Sequence, residues 1–469
     1  MLASHSCPHS NYIHSTPAIF SLVIYLSTIP IFMDSSPPSL TFKVQRCKPE
    51  LVPPASSTPH EVKLLSDIDD QDGLRFNIPF IMMYRHEPSM ADKDPVQAIR
   101  QALSRTLVYY YPFAGRLKEG PGRKLMVDCT GEGVMFIEAN ADVSLVEFGE
   151  TPLPPFPCFE ELLYDVPGSE QVLDSPLLLI QVTRLKCGGF IMALRFNHTM
   201  SDGAGLKQFL SALAEMAQGA SQPLTPPVWC RELLMARDPP RITCNHYEFE
   251  QVPSDSTEEG AITRSFFFGS NEIAALRRLV PLDLRHCSTF DVITACFWYC
   301  RTKALQLAPH DDIRLMTIVN TRNRFNPPIP VGYYGNCFTY PAVVTTVGKL
   351  CGNSFGYAVE LVRKAKAQAT EEYMHSMADF LVANRRCLFT TVRSCIVSDL
   401  TRFKLHETDF GWGEPVCGGV AKGGAGLYGG ASYIIACKNA KGEDGRVLVI
   451  CLPVENMKRF AKELNNMIV

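Results

Sequence analysis

No C-x-x-C pair occurs among the 17 cysteines, and their odd number and scattered spacing give neither a disulfide framework nor a zinc pattern. Cys296 and Cys300 lie four apart on an expected helix, but no second ligand pair accompanies them. Free thiols in a reducing compartment are expected, and no metal. A surplus of charge is also missing. Lys plus Arg number 45 against 48 Asp plus Glu, a net charge of −3, so no basic field exists to hold phosphate backbones or anionic lipid. Nucleic acid and membrane are therefore not expected partners. Residues 1–32 contain no Lys, Arg, Asp or Glu. A secretory signal needs a cationic start and a small-residue cleavage site, and neither is found. The apolar run from Pro17 to Phe32 is short for a membrane span and is interrupted by Pro30. The expectation is a leader, 1–32, outside the fold, with translation starting at Met33; a weak membrane anchor is the alternative. No internal repeat is visible.

Apolar residues make up 46% of the 469, ample for real cores, and the length suits two or three domains. The expected boundaries are an N-terminal domain 33–218, a Pro- and Arg-rich crossover linker 219–260, and a C-terminal domain 261–469. Four aspartates, Asp67, Asp69, Asp70 and Asp72, read as a solvated surface loop. Gly424-Ala425-Gly426-Leu427-Tyr428-Gly429 matches G-x-G-x-x-G, yet turn residues precede it and a strand follows. A pyrophosphate site needs the reverse order, strand then helix. The string is read as a hairpin or lid segment.

The most informative stretch is Arg195-Phe196-Asn197-His198-Thr199-Met200-Ser201-Asp202-Gly203. Upstream, Lys186-Cys187-Gly188-Gly189 separates two apolar strands, Leu177–Leu185 and Phe190–Phe196, as a hairpin does. Downstream, Leu206, Phe209, Leu210, Leu213 and Ala217 follow the helical period. His198 thus ends a strand and precedes a helix, where two rigid elements hold a side chain that opens into a cleft. Asp202 occupies the N-cap position. His198 is read as the chemical residue and Asp202 as structural support. Asn197-His198-Thr199 is also a glycosylation sequon, and a glycan beside a working His198 is incompatible with function, so a cytoplasmic location is expected.

His198-Thr199-Met200-Ser201-Asp202, together with Asp409-Phe410-Gly411-Trp412-Gly413 about two hundred residues later, resembles the plant BAHD acyl-CoA-dependent acyltransferases, whose motifs are H-x-x-x-D and D-F-G-W-G. Tyr111-Pro112-Phe113-Ala114-Gly115-Arg116-Leu117 and Gly332 to Asn336 also resemble family segments. Several stretches, among them Leu64–Phe76 and Pro227–Tyr247, are similar to the branch of benzyl alcohol benzoyltransferases and alcohol acyltransferases. The resemblance implies an α/β fold of two similar-sized domains, each a mixed β-sheet with flanking helices, chloramphenicol acetyltransferase-like, with a channel at the domain junction. It implies acyl-CoA as co-substrate, a small alcohol as acceptor, no permanently bound cofactor, and action as a monomer. His198 would be the general base in a ternary complex.

The resemblance also implies that Asp202 points away from substrate and pairs with an arginine, and that Asp409 is structural support. Arg322 is the first choice for the partner of Asp409, with Arg324 second. Trp412 either donates its indole N–H to the oxyanion or only packs. Ser288, Thr289, Ser398 and Asp399 resemble segments on the CoA side. Arg385–Arg393 departs from the branch and is read as a candidate lining of the acceptor side. A Ser–His–Asp triad is set aside for want of a nucleophile elbow. The alternatives carried are a catalytically idle acyl-CoA-binding relative and an N-acyltransferase.

Overall fold

The apolar runs Asn77–Tyr84 and Phe190–Asn197 are neighbouring antiparallel strands, paired from Asn77 with Asn197 to Tyr84 with Phe190. Successive side chains on a strand point to opposite faces. Ile78, Phe80, Met82, Leu194 and Phe196 accordingly enter the main core, while Ile81, Met83, Ile191 and Ala193 enter a second one on the other face. Burial on both sides is why these segments read as continuous rather than alternating apolar runs. The computed structural model describes residues 40–165, 172–252, 260–424 and 431–468, all within one compact unit, Phe32–Val469. The leader lies outside the described residues, as does nearly all of the Gly424–Gly429 string.

The first sheet runs Val44–Arg46, Val134–Ala141, Leu178–Arg184, Phe190–Asn197, Asn77–Tyr84, Cys417–Val420, with Glu50–Val52 also on Val134–Ala141. The second runs Ala261–Phe268, Asp444–Pro453, Ala431–Lys438, Ser394–Asp399, Asp312–Asn320, Phe338–Thr339, with Ala342–Thr346 also on Asp312–Asn320. Both mix parallel and antiparallel pairs. Helices Pro95–Tyr109 and Gly203–Ala217 bury their periodic faces in the core of the first sheet.

One strand crosses between the halves of the chain. Cys417–Val420 pairs with Asn77–Tyr84 and forms an edge of the first sheet, although it follows the second-sheet strand Ser394–Asp399 in sequence. The stretch 219–260 is anchored rather than loose. Arg231 is buried, and His246 bridges Glu248 (Nδ1 to Oε1, 2.9 Å) and Ser376 (Nε2 to Oγ, 2.9 Å). The aspartate loop is not a solvated surface. Asp67, Asp69 and Asp70 are buried, and Lys124, Arg231, Arg75 and Arg386 pair with them. Buried carboxylates persist only with such partners, and those partners lie at least five residues away, where no local pattern reveals them.

Candidate active site

His198 follows the strand Phe190–Asn197, and its N–H donates to the Phe76 carbonyl of the adjacent chain at 3.0 Å. The ring sits among Phe76, Phe196 and Phe338, with centroids 5.5–5.9 Å away. It lines a cavity of about 710 Å³. Residues from both halves of the chain build that cavity, including Leu74, Phe76, Ile78, Phe338, Tyr340 and Phe389 around apolar walls. Nδ1 is buried without a partner, which leaves Nε2 as the nitrogen that faces the cavity. Burial holds the ring pKa below the ordinary histidine value, against the opposing pull of the Asp202 carboxylate. At neutral pH the imidazole is therefore uncharged and able to accept a proton.

Asp202 is fully committed. It caps the helix Gly203–Ala217 by accepting from the Gly205 N–H at 2.9 Å, and accepts from the Cys337 N–H at 3.0 Å. Arg322 donates to both oxygens, at 2.7 and 2.9 Å. Burial pushes the carboxyl pKa up, and Arg322 with the two backbone N–H groups more than offsets this, leaving it below the ordinary aspartate value. A carboxylate with four such donors has no lone pair free for substrate. Asp202 borders the cavity yet acts as an anchor, as the sequence suggested.

The expected partner of Asp409 needs correcting. Arg322 belongs to Asp202, and Arg324 lines the cavity instead. Asp409 folds its own loop: its Oδ1 accepts from the Gly411 and Gly413 N–H groups at 2.6 and 2.8 Å. Both glycines adopt positive φ, 105° and 83°, a region that side chains oppose. The D-F-G-W-G spacing is thus the requirement of one tight turn. Phe410 packs edge-on against Tyr84 and Trp412 against Phe190, at 5.6 Å each. The Tyr84 hydroxyl donates to the Thr408 carbonyl at 2.8 Å.

Of the two roles left open for Trp412, the structure favours packing. Its contact Phe190 begins the strand that ends before His198, a separation of roughly 25 Å at about 3.3 Å per residue. Trp412 is a packing residue that fixes the segment leading into the exchanged strand. Trp412→Ala is expected to cost about 3–5 kcal/mol of stability, whereas Trp412→Phe keeps kcat near that of the parent. Denaturant unfolding alongside initial rates checks both.

Ser288, Thr289, Ser398 and Asp399 all line the cavity. Ser288 caps the helix Thr289–Leu305 in a reciprocal bond with Asp291. Ser398 and Asp399 end a strand parallel to Asp312–Asn320, so the cavity lies beyond the carboxyl ends of these parallel strands. Arg324, Lys366, Arg402 and Arg446 line it too. Lys366 pairs with Asp291 at 2.5 Å, whereas the three arginines form no ion pair among the described residues. From the divergent stretch Arg385–Arg393, Phe389 reaches the cavity, while Arg386 turns away to Asp70 at 2.5 Å.

A literal G-x-S-x-G string, Gly352-Asn353-Ser354-Phe355-Gly356, does occur. It joins the helices Val347–Gly352 and Phe355–Ala367, with no strand leading into it, so it is not a nucleophile elbow. No group of three or more His, Cys, Asp or Glu positioned for a metal occurs among the described residues. No helix among them is long and apolar enough to cross a membrane. Sequence reasoning missed Asp69, Arg231 and Asn336, which support the His198 turn from behind. The Gly332–Asn336 string was the available signal.

The His198 imidazole lines a cavity walled by residues of both mixed sheets, and residues 42–467 match the Transferase family model. The chain belongs to that family, the BAHD transferases, and is an O-acyltransferase. Among its relatives, benzyl alcohol O-benzoyltransferase of Petunia hybrida is 59% identical over 442 residues, covering 93% of this chain and 96% of that protein. The 13-hydroxylupanine O-tigloyltransferase of Lupinus albus is 52% identical, covering 92% and 96%. In fold the chain is similar to the crystal structure of vinorine synthase, with a TM-score of 0.70 at 21% identity, covering 91% and 98%.

Proposed function

We propose that this enzyme transfers a benzoyl, acetyl or similar acyl group from acyl-CoA to the hydroxyl of a small alcohol, working as a cytosolic monomer without a resident cofactor. The observation that carries the reading is the Nε2 face of an uncharged His198 opening into a cavity whose lining is of two chemical kinds. One part of the lining is aromatic and apolar, suited to the acyl and alcohol groups. The other part comprises Arg324, Lys366, Arg402 and Arg446 together with Ser288 and Thr289 at a helix N-terminus, suited to CoA phosphates. The volume falls within the usual range for a small-molecule site.

Nε2 takes the hydroxyl proton as the alcohol oxygen bonds to the thioester carbonyl carbon. The tetrahedral intermediate then collapses, the C–S bond breaks, and the departing thiolate receives the proton. Holding both substrates together makes a covalent acyl-enzyme unnecessary. The cytosolic assignment is supported by Asn197, a buried side chain whose Oδ1 accepts from the Thr199 N–H and hydroxyl and whose amide nitrogen has no room for a glycan.

The test is to incubate purified enzyme with benzoyl-CoA or acetyl-CoA and a panel of small alcohols and amines. Ester mass and free CoA are expected with benzylic or short-chain alcohols. Amide in place of ester would shift the reading to N-acylation, and no CoA release across the panel would point to an idle binder.

A further inference from the structure

Behind His198 lies a buried polar chain that the proposed chemistry above does not use. Asn336 is fully buried, and its side-chain N–H groups donate to Asp69 Oδ1 and to the His198 carbonyl, both at 2.8 Å. Both acceptors lack hydrogens, so the amide orientation is fixed: NH₂ faces Asp69 and the His198 carbonyl, and Oδ1 faces away from them. Asn336 Oδ1 and His198 Nδ1 are both buried and both without a partner in the resting enzyme. One is an acceptor needing a proton and the other a ring nitrogen needing a fixed protonation state, on side chains already joined through the His198 carbonyl. The Asn336 side chain also acts on the ring directly, favouring its protonated form.

Asp69 holds Asn336 rigid. Its Oδ1 accepts from both the backbone and side-chain nitrogens of Asn336, and its Oδ2 from the Ser66 N–H and hydroxyl. Arg231 balances its charge at 3.0 Å, donates to the Met200 carbonyl of the His198 turn at 2.8 Å, and lies over the Trp229 ring. Gly335 is what admits this arginine, because a Cβ there would lie 1.2 Å from Arg231 Nη1. A charged pair and an amide have thus been buried at some cost in stability next to the reacting base.

We infer that Asp69 and Asn336 are positioning residues for the base: Asn336 Oδ1 takes the Nδ1–H of His198 and so keeps the Nε2 lone pair directed at the cavity. The two unpaired atoms close their contact as the substrates bind, since catalytic hydrogen bonds are often long until the complex forms. Among the described residues, the one charge acting directly on the ring is that of Asp202, itself paired with Arg322. The other polar groups beside it are its own backbone, the Ser201 backbone and the Asn336 side chain, and its aromatic neighbours are Phe76, Phe196 and Phe338. This inference rests on His198 being the base.

The experiment combines ¹⁵N-histidine NMR with kinetics on the full chain, the His198 signals being assigned by their loss in His198→Ala. In the parent at mildly alkaline pH, with CoA bound, Nδ1 is expected to carry the proton and Nε2 none. A protonated Nε2 there would overturn the inference without any variant. Asn336→Ala, and the smaller change Asn336→Ser, are expected to mix the two tautomers and shift the acid limb of kcat/KM. They are also expected to lower kcat about 10–100-fold, as loss of an imidazole's outer hydrogen-bond partner does, with KM for acyl-CoA unchanged. A folded variant whose tautomer and acid limb match the parent would overturn the role assigned to Asn336. If His198→Ala proves fully active, the failure lies with the base itself and not with its support.

Discussion

His198→Ala is expected to lower kcat by about 10²–10⁴, the usual contribution of a positioned general base, while binding of CoA and thermal stability stay near those of the parent. The reason is local. The side chain projects among Phe76, Phe196 and Phe338 at a cavity wall, and its Nδ1 makes no hydrogen bond whose loss would unfold the turn. What holds the turn is the Asn197, Asn336 and Arg231 hydrogen bonding to main-chain groups, which an alanine at 198 leaves in place. Initial rates with saturating acyl-CoA and a melting curve separate the catalytic loss from any structural one. A matching loss of CoA binding would show that the imidazole acts through the fold.

Arg322→Ala is expected to act oppositely, costing about 3–5 kcal/mol of stability because it strands the Asp202 carboxylate in the interior. The sign of its pH dependence follows from Asp202. With Arg322 present, the folded pKa lies below the unfolded one, so the contribution is complete above the ordinary aspartate value and lost as pH falls through the folded pKa. Without Arg322, burial dominates and the folded pKa rises above the unfolded one, so protonation then favours the fold. The stability gap between parent and variant is therefore larger at neutral than at mildly acidic pH. Urea unfolding at the two pH values measures it; an equal gap at both would show that Asp202 is not the group left stranded.

Local pattern made the core of the site legible. His198 ends a continuous apolar strand, and Leu206, Phe209, Leu210 and Leu213 announce the helix that Asp202 caps. The reaction class came from the resemblance carried by two motifs, not from periodicity. What stayed hidden were pairings at a distance. Arg322 meets Asp202 across 120 positions, and nothing near either residue distinguishes that partner from Asp409. Asp69 meets Arg231 across 162 positions, so four clustered aspartates resembled a surface loop. The exchanged strand Cys417–Val420 is short and contains two glycines, which reads as a turn until its partner Asn77–Tyr84 is seen. For Trp412 both a donor and a packing role stayed open in the sequence, and only its contact with Phe190, at the end of the strand remote from His198, favours packing.

The most direct test of an uncharged His198 as the base is the pH dependence of kcat/KM for the alcohol at saturating acyl-CoA. Burial and the neutral state of the ring predict a rate that is level through neutral pH and falls on acidification with an apparent pKa below about 6.5. A rate that does not titrate on the acid side, or that rises as the histidine becomes protonated, would contradict the assignment.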